Sequence, residues 1–152
     1  MMLVSMLGTK LTYAQIGDCS LTVFREMPQL GLYSDVFTTT PRYQGTTPDG
    51  RMIPTQIAIY DPSLFAKKDM AVAAATDIHT AKVDVKLNDV IVISSDGVGD
   101  NLSVYQMKEI VNSTMAAERD PWLLAKRIVE SAITMNLKPD DVSCAVGFVV
   151  KK

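Results

Sequence analysis

Three short stretches of the sequence place an aspartate where a strand is expected to begin or end. "SSDGVGD" puts Asp96 directly after an apolar run, "IGDCS" puts Asp18 between two strand-like runs, and "KPDDVS" puts Asp140 ahead of the last run. Carboxylates at one edge of a sheet repel one another unless a cation neutralises them. Mg²⁺ or Mn²⁺ binds carboxylate oxygens and retains waters that can act as nucleophiles. Each acid is therefore either a turn former or a ligand of such a metal.

Each of these aspartates also has a purely structural interpretation. Asp18 in "GDC" is a typical hairpin turn residue, and Asp140 after Pro139 can cap a turn. The pair Asp49 and Gly50 in "TTPDGRMIP" predicts an ordinary type I or II turn. Taken singly, the acids therefore fit turn chemistry, and only their convergence would make a site.

The elements that must position these acids are mostly strands. The runs "MLVSML", "LTYAQI" and "SLTVFR", separated by "GTK" and "GDC", predict an antiparallel meander. Alternating apolar residues at 83, 85 and 87 precede "ND" and a doubly buried strand, which predicts a hairpin. Residues 27–62 hold five of the seven prolines and predict a long irregular segment, typical of functional or mobile loops.

Two helices are predicted after the buried strand. Ser103 and Gln106 have capping-box spacing, which predicts a helix over residues 104–118. Asp120 followed by Pro121 predicts the start of a second helix, and a turn and a final strand close the chain. Strands, two helices and a last strand predict one α+β layered domain over residues 1–152, a partial β-sandwich with flanking antiparallel helices.

Composition restricts the functional classes. The chain has 152 residues, 47% of them hydrophobic, and a net charge of -2 without any basic run, so nucleic-acid binding is not expected. The two cysteines, Cys19 and Cys144, lack metal-site spacing and are expected to be reduced core residues. No run has the length of a membrane span or the pattern of a signal peptide. A soluble intracellular protein is expected, cytoplasmic by default.

The order of the acidic motifs resembles the C-terminal half of the metal-dependent type 2C serine/threonine protein phosphatases. "AQIGDCS" is similar to the family's Ala-Asn-x-Gly-Asp-Ser element, "SSDGVGD" to its Ser-Asp-Gly-x-x-Asp element and "DDVS" to its closing Asp-Asn element. "KPDD" and "DVKLNDVIVISSDGVGDN" resemble the mitochondrial-type branch most. The resemblance covers residues 11–24 and 83–150.

This resemblance implies a β-sandwich with a Mg²⁺ or Mn²⁺ centre that directs water onto a phosphoserine or phosphothreonine of a protein. By motif position, Asp96 and Asp140 would be ligands of the main centre and Asp18 would serve a weaker, additional metal site. Asp100 is expected to shape the loop, and Asp141 stands where the family usually has asparagine. Mitochondrial localisation becomes a further possibility.

The family's first acidic pair and its bridging Asp-Gly-x-x-Gly element precede these motifs and have no match in this chain. No phosphate-binding arginine can be assigned. We therefore expect a truncated phosphatase that is weak or inactive alone, and whether the chain is an enzyme stays open. Strand edges would be exposed, which predicts a homodimer or a second covering chain.

The alternative is a non-catalytic pseudophosphatase that binds a protein through the Pro-rich segment and apolar strand edges. The single histidine, His79, could act as a general acid or lie solvated beside a strand. Arg25, Arg42 and Arg51 could each contact a phosphate or face solvent.

Overall fold

A computed structural model describes residues 1–41, 43–46, 48–50, 52–54 and 78–151. The nine strands of these residues are β1 (Met2–Leu7), β2 (Lys10–Gln15), β3 (Ser20–Met27), β4 (Leu32–Thr38), β5 (Tyr43–Thr46), β6 (Met52–Pro54), β7 (His79–Asp84), β8 (Val90–Ser94) and β9 (Cys144–Phe148). The helices are α1 (Asp96–Gly99), α2 (Val104–Ala117) and α3 (Pro121–Met135). None of these helices is long and apolar enough to cross a membrane.

The strands form two main antiparallel sheets. The first has the order β1-β2-β7 and the second has the order β4-β3-β8-β9, while β5 and β6 pair with each other. In the second sheet Ser20 lies opposite Ser94, and Ser94 lies opposite Cys144. The starts of β3 and β9 and the end of β8 therefore meet at one edge, next to the positions of the predicted acids.

Two apolar cores arrange the elements in three layers. Leu11 and Tyr13 of the first sheet pack with Leu21 and Val23 of the second, so the two sheets face each other. The opposite face of the second sheet packs on the helices in a core that includes Phe24, Val90, Val92, Met107, Val111, Leu124 and Ile128. Successive residues of a strand point to opposite faces, so β3 contributes to both cores.

A buried ion pair links β3 to the turn before β8. The Arg25 guanidinium donates from Nε to Asp89 Oδ1 at 2.9 Å and from Nη2 to Oδ2 at 2.7 Å. Asp89 is 1% exposed, and its Oδ2 also accepts the Lys86 amide at 2.8 Å. The hydrogen bonds with Asp89 raise the pKa of Arg25. Arg25, a possible phosphate contact from sequence, is thus engaged in a structural pair.

The α+β architecture predicted from sequence is confirmed, but two strand pairings are wrong. The predicted meander holds only for β1 and β2, because β3 belongs to the second sheet. The predicted hairpin is absent, since β7 pairs with β2 whereas β8 pairs with β3 and β9. The segment 27–62 is not irregular throughout, because β4, β5 and β6 lie within it. Residues 55–62 of this segment lie outside the described residues.

The helix starts agree with the local signals. Ser103 caps α2 in a capping box with Gln106, and Asp120 caps α3 by accepting the Trp122 amide at 2.8 Å. The first of these helices ends at Ala117, one residue before the predicted end. Both helices are thus fixed at their first turns by side chains that satisfy otherwise unpaired amides.

Candidate metal centre

The four-residue helix α1 places two carboxylates on one side of a single turn. It starts at Asp96, directly after β8 and Ser95, and the Asp100 amide donates to the Asp96 carbonyl at 2.7 Å. Residues four apart are neighbours on a helical surface. The stretch "DGVGD" therefore brings the side chains of Asp96 and Asp100 together.

The segment 136–143, which joins α3 to β9, carries Asp140 to the same place. Ser95 holds the end of this segment, because its amide donates to the Ser143 carbonyl at 3.0 Å and its Oγ accepts the Ser143 amide at 3.0 Å. Ser95 Oγ also donates to the Asp141 carbonyl at 3.1 Å. The backbone after Asp140 is thereby fixed against the start of α1.

Close backbone packing brings the two segments together at Gly97. A Cβ atom at this position would lie 2.4 Å from the Asp141 carbonyl oxygen and 3.4 Å from Cβ of Asp140. Only a residue without a side chain allows this approach. The glycine of "SDG" is therefore required here by contact with the segment that carries Asp140.

The result is a cluster of three acids. Asp96, Asp100 and Asp140 each offer one carboxylate oxygen, and these three oxygens lie within 4.8 Å of one another. Asp96 is half-buried, whereas Asp100 and Asp140 are exposed. Two of the three carboxylates are oriented by local amides, since Asp96 Oδ1 accepts the Gly97 amide at 3.0 Å and Asp140 Oδ1 accepts the Asp141 amide at 2.8 Å.

One ammonium group lies against this cluster. Lys138 Nζ is 2.5 Å from Asp100 Oδ2. The hydrogen bond to Asp100 raises the pKa of Lys138, and the charges of Asp140 and Asp96 act in the same direction. The exposed Lys138 side chain therefore partly neutralises all three acids.

Asp18 faces the same centre from the turn between β2 and β3. It lines a cavity of about 290 Å³ together with Asp96, Asp100, Thr39 and Met107. Burial raises the pKa of the Asp18 carboxyl, and the nearby carboxylates of Asp96 and Asp100 raise it further. Asp18 thus approaches the cluster closely enough to be repelled by it.

Of the aspartates singled out from sequence, Asp96 and Asp140 therefore lie together with Asp100, whereas Asp18 lines the adjacent cavity. Sequence reasoning gave Asp100 a loop-shaping role, although its spacing of four from Asp96 was a usable signal. His79 lies on β7, where its Nε2 is 3.1 Å from the Tyr13 hydroxyl oxygen, in a structural contact. Cys19 and Cys144 are both free thiols, and burial raises the pKa of Cys144 to about 11. Arg42 and Arg51 lie outside the described residues.

The donor set fits a hard divalent cation. Carboxylate oxygens are the ligands that Mg²⁺ and Mn²⁺ take, whereas zinc and copper sites in proteins usually contain histidine or cysteine. Two exposed members leave room for water beside the carboxylates, as Mg²⁺ sites require. The geometry can hold a cation with open positions for water.

The chain matches one family model, described as Protein phosphatase 2C, over residues 58–140, which is more than half of the chain. No curated protein sequence matches it.

Solved structures, among them phosphatases, have a similar fold. The photosystem II phosphatase PBCP is 21% identical, with a TM-score of 0.61, and the match covers 86% of this chain and 43% of that one. PppA, a regulatory component of T6SS in Pseudomonas aeruginosa, is 14% identical, with a TM-score of 0.64 and coverages of 95% and 54%. The Mycobacterium tuberculosis serine/threonine phosphatase PstP/Ppp is 16% identical, with a TM-score of 0.62 and coverages of 97% and 58%. The chain thus spans about half the length of the structures that it matches.

Proposed function

The chain belongs to the protein phosphatase 2C family, and on this premise we propose that it is part of a Mg²⁺- or Mn²⁺-dependent phosphatase for phosphoserine and phosphothreonine in proteins. One observation carries the proposal, namely that Asp96, Asp100 and Asp140 bring carboxylate oxygens within 4.8 Å of one another beside a cavity. Acids that repel one another are stable in such a cluster when a cation lies between them.

The residues of the chain have separate tasks in this proposal. Asp96 and Asp140 hold the main cation, and Asp18, across the cavity, serves a weaker additional one. Asp100 either completes the main site or holds Lys138. A cation bound there would lower the pKa of a water molecule and neutralise phosphoryl oxygens. The half-buried position of Asp96 limits solvent on one side of the centre.

The finer assignment rests on motif order. The order of the motifs supports an assignment to the C-terminal half of the family's domain, and their wording favours the mitochondrial-type branch. Since the chain spans about half the length of the similar structures, we expect it to bind metal weakly and to have little or no activity alone. Its complete substrate site would need residues from a further segment or chain.

Titration of Mn²⁺ into the purified chain by calorimetry tests the metal site. We expect saturable binding that is lost in the double variant Asp96→Asn, Asp140→Asn, because this variant removes two of the three converging charges. A matched control is the double variant Asp35→Asn, Asp84→Asn, which removes the same charge from exposed positions on β4 and β7. The control should bind like the unmodified chain.

Assays with p-nitrophenyl phosphate and a phosphoserine peptide, on the same samples with Mn²⁺, then separate the two candidate functions. Binding with turnover supports the enzyme, and binding without turnover supports a metal site that another segment must complete. Equal binding by all three proteins would contradict the assignment of Asp96 and Asp140. Absence of both binding and turnover would favour the pseudophosphatase.

A second copy or a further segment is expected at the outer strand of the first sheet. β1 is an edge strand, and its Leu3 and Leu7 are 59% and 86% exposed. Unpaired edges with apolar side chains favour strand addition. Light scattering should show twice the chain mass, shifting to the monomer in the variant Leu3→Lys, Leu7→Lys. The variant Leu30→Lys, Leu87→Lys changes exposed leucines in turns and should not shift, and a monomeric unmodified chain would exclude the homodimer.

A further inference from the structure

The side chain of Asn101 joins the two backbone segments that carry the clustered acids. Its Nδ2 donates to the Gly97 carbonyl at 2.8 Å and to the Lys138 carbonyl at 2.9 Å, and its Oδ1 accepts the Lys138 amide at 3.0 Å. Asn101 is 3% exposed. Both amide hydrogens and the carbonyl oxygen are thus used, which makes this a fully satisfied buried polar group.

The contacts of Asn101 lie on either side of the acids. Gly97 is next to Asp96 in α1, and Lys138 lies two residues before Asp140. The segment 136–143 has no helix or strand of its own. Such a segment keeps one conformation only where side chains or neighbouring backbone satisfy its polar groups.

Asp140 therefore lies between two attachment points. Asn101 holds the segment at Lys138, and Ser95 holds it at Asp141 and Ser143. With Ser95 alone, the backbone before Asp140 would lose the two hydrogen bonds that fix Lys138. The distance of the Asp140 carboxylate from Asp96 and Asp100 would then vary.

We infer that Asn101 is a positioning residue of the metal centre, which sets the place of the Asp140 carboxylate relative to Asp96 and Asp100. This inference rests on the proposed function, because the proposed function assigns a cation to the cluster. Groups that orient metal ligands without binding the metal typically change metal affinity about 10–100-fold when they are replaced. Asn101 acts in this manner through backbone contacts.

The test compares Asn101→Ala with Asn112→Ala. Asn112 is a matched control, since its side chain also clamps a backbone by accepting the Tyr33 amide at 2.5 Å and donating to the Tyr33 carbonyl at 3.2 Å. It joins α2 to β4. Both variants lose side-chain hydrogen bonds to backbone that are at least partly buried, but only Asn101→Ala loosens the segment with Asp140.

Two measurements give different outcomes for positioning and for stability alone. Mn²⁺ affinity by calorimetry should fall about 10–100-fold in Asn101→Ala and stay unchanged in Asn112→Ala. Amide hydrogen exchange without metal should become about tenfold faster at Lys138 in the first variant and at Tyr33 in the second, since each amide loses its partner. Equal affinities of the two variants, or an unchanged exchange rate at Lys138, would overturn the inference.

A milder variant keeps the test decisive if Asn101→Ala does not fold. Asn101→Ser retains a hydroxyl that can donate to one of the two carbonyls. Its Mn²⁺ affinity and its rate of amide exchange at Lys138 should therefore fall between those of the unmodified chain and the alanine variant. If the unmodified chain binds no Mn²⁺, the proposed function fails and so does the metal part of this inference. The exchange at Lys138 still decides whether Asn101 holds the segment.

Discussion

Replacing Asp89 with asparagine is expected to lower the free energy of unfolding by about 3 kcal/mol, because the substitution removes the more buried partner of an ion pair. Both carboxylate oxygens accept hydrogen bonds from donors, Oδ1 from Arg25 and Oδ2 from Arg25 and Lys86. An asparagine of the same shape must turn its NH₂ group toward one of these donors. The variant therefore loses the charge and also places two donors against each other.

Partial exposure of the partner moderates this loss. The Arg25 side chain is 23% exposed, so its guanidinium can recover some hydration after Asp89 is neutralised. The side chain at position 89 is 1% exposed and cannot gain hydration in this way. Removing one partner of a fully buried pair costs about 3–5 kcal/mol, and the expected value lies at the lower end of this range.

Urea and thermal unfolding provide the measurement for Asp89→Asn. For a domain of this length, a loss of about 3 kcal/mol corresponds to a midpoint lower by roughly 10 °C. Asp84→Asn is the control, because Asp84 pairs with Lys10 at a site where the two side chains are 74% and 58% exposed. Exposed pairs contribute about 0–1 kcal/mol, so the control should unfold almost like the unmodified chain. Similar losses of stability in both variants would show that burial does not determine how much the Arg25–Asp89 pair stabilises the fold.

The elements that the sequence predicted well are those with local signals. The capping box of Ser103 and Gln106 and the Asp120-Pro121 pair lie within one helical turn of the positions that they fix. Such signals act between residues three or four apart, so they are readable without knowledge of the tertiary fold. Both helices therefore began where the sequence indicated.

Strand pairing could not be predicted in the same way. β2 and β3 are separated by four residues and yet lie in different sheets, with β7 and β8 as their respective partners. Which partner a strand takes depends on burial of its two faces against distant segments. The Arg25 and Asp89 pair illustrates the same limit, because 64 positions of sequence separate its members.

The candidate site was partly predictable for a related reason. Asp96 and Asp140 lie at the end of one strand and ahead of another, and β8 and β9 are neighbours, so their convergence follows once these strands pair. Asp100 joins them only because residues 96–99 form a helical turn, which two glycines in "DGVGD" made difficult to expect. Asn101 has no motif of its own, since its importance arises from contacts with Gly97 and Lys138.

Replacing Gly97 with alanine is expected to separate the acid-carrying segments and to lower Mn²⁺ affinity at least about tenfold. The new Cβ would lie 2.4 Å from the Asp141 carbonyl oxygen, a backbone atom that cannot rotate away. The segment 136–143 must therefore move, and Asp140, whose Cβ is 3.4 Å from the same point, moves with it. Forcing extra volume into a packed site also costs about 1–3 kcal/mol of stability.

Gly99→Ala provides the matched control within the same helical turn. Gly99 is exposed and has no other atom within 4 Å of an added Cβ, so alanine should be tolerated or should stabilise the helix by about 0.5–1 kcal/mol. Mn²⁺ calorimetry and urea unfolding on both variants then distinguish steric displacement from a general effect of alanine in α1. If Gly97→Ala bound Mn²⁺ and unfolded like Gly99→Ala, the close approach of α1 and Asp141 would not be what holds Asp140 beside Asp96. A selective loss in Gly97→Ala would instead show that backbone contact, and not charge alone, brings the carboxylates together.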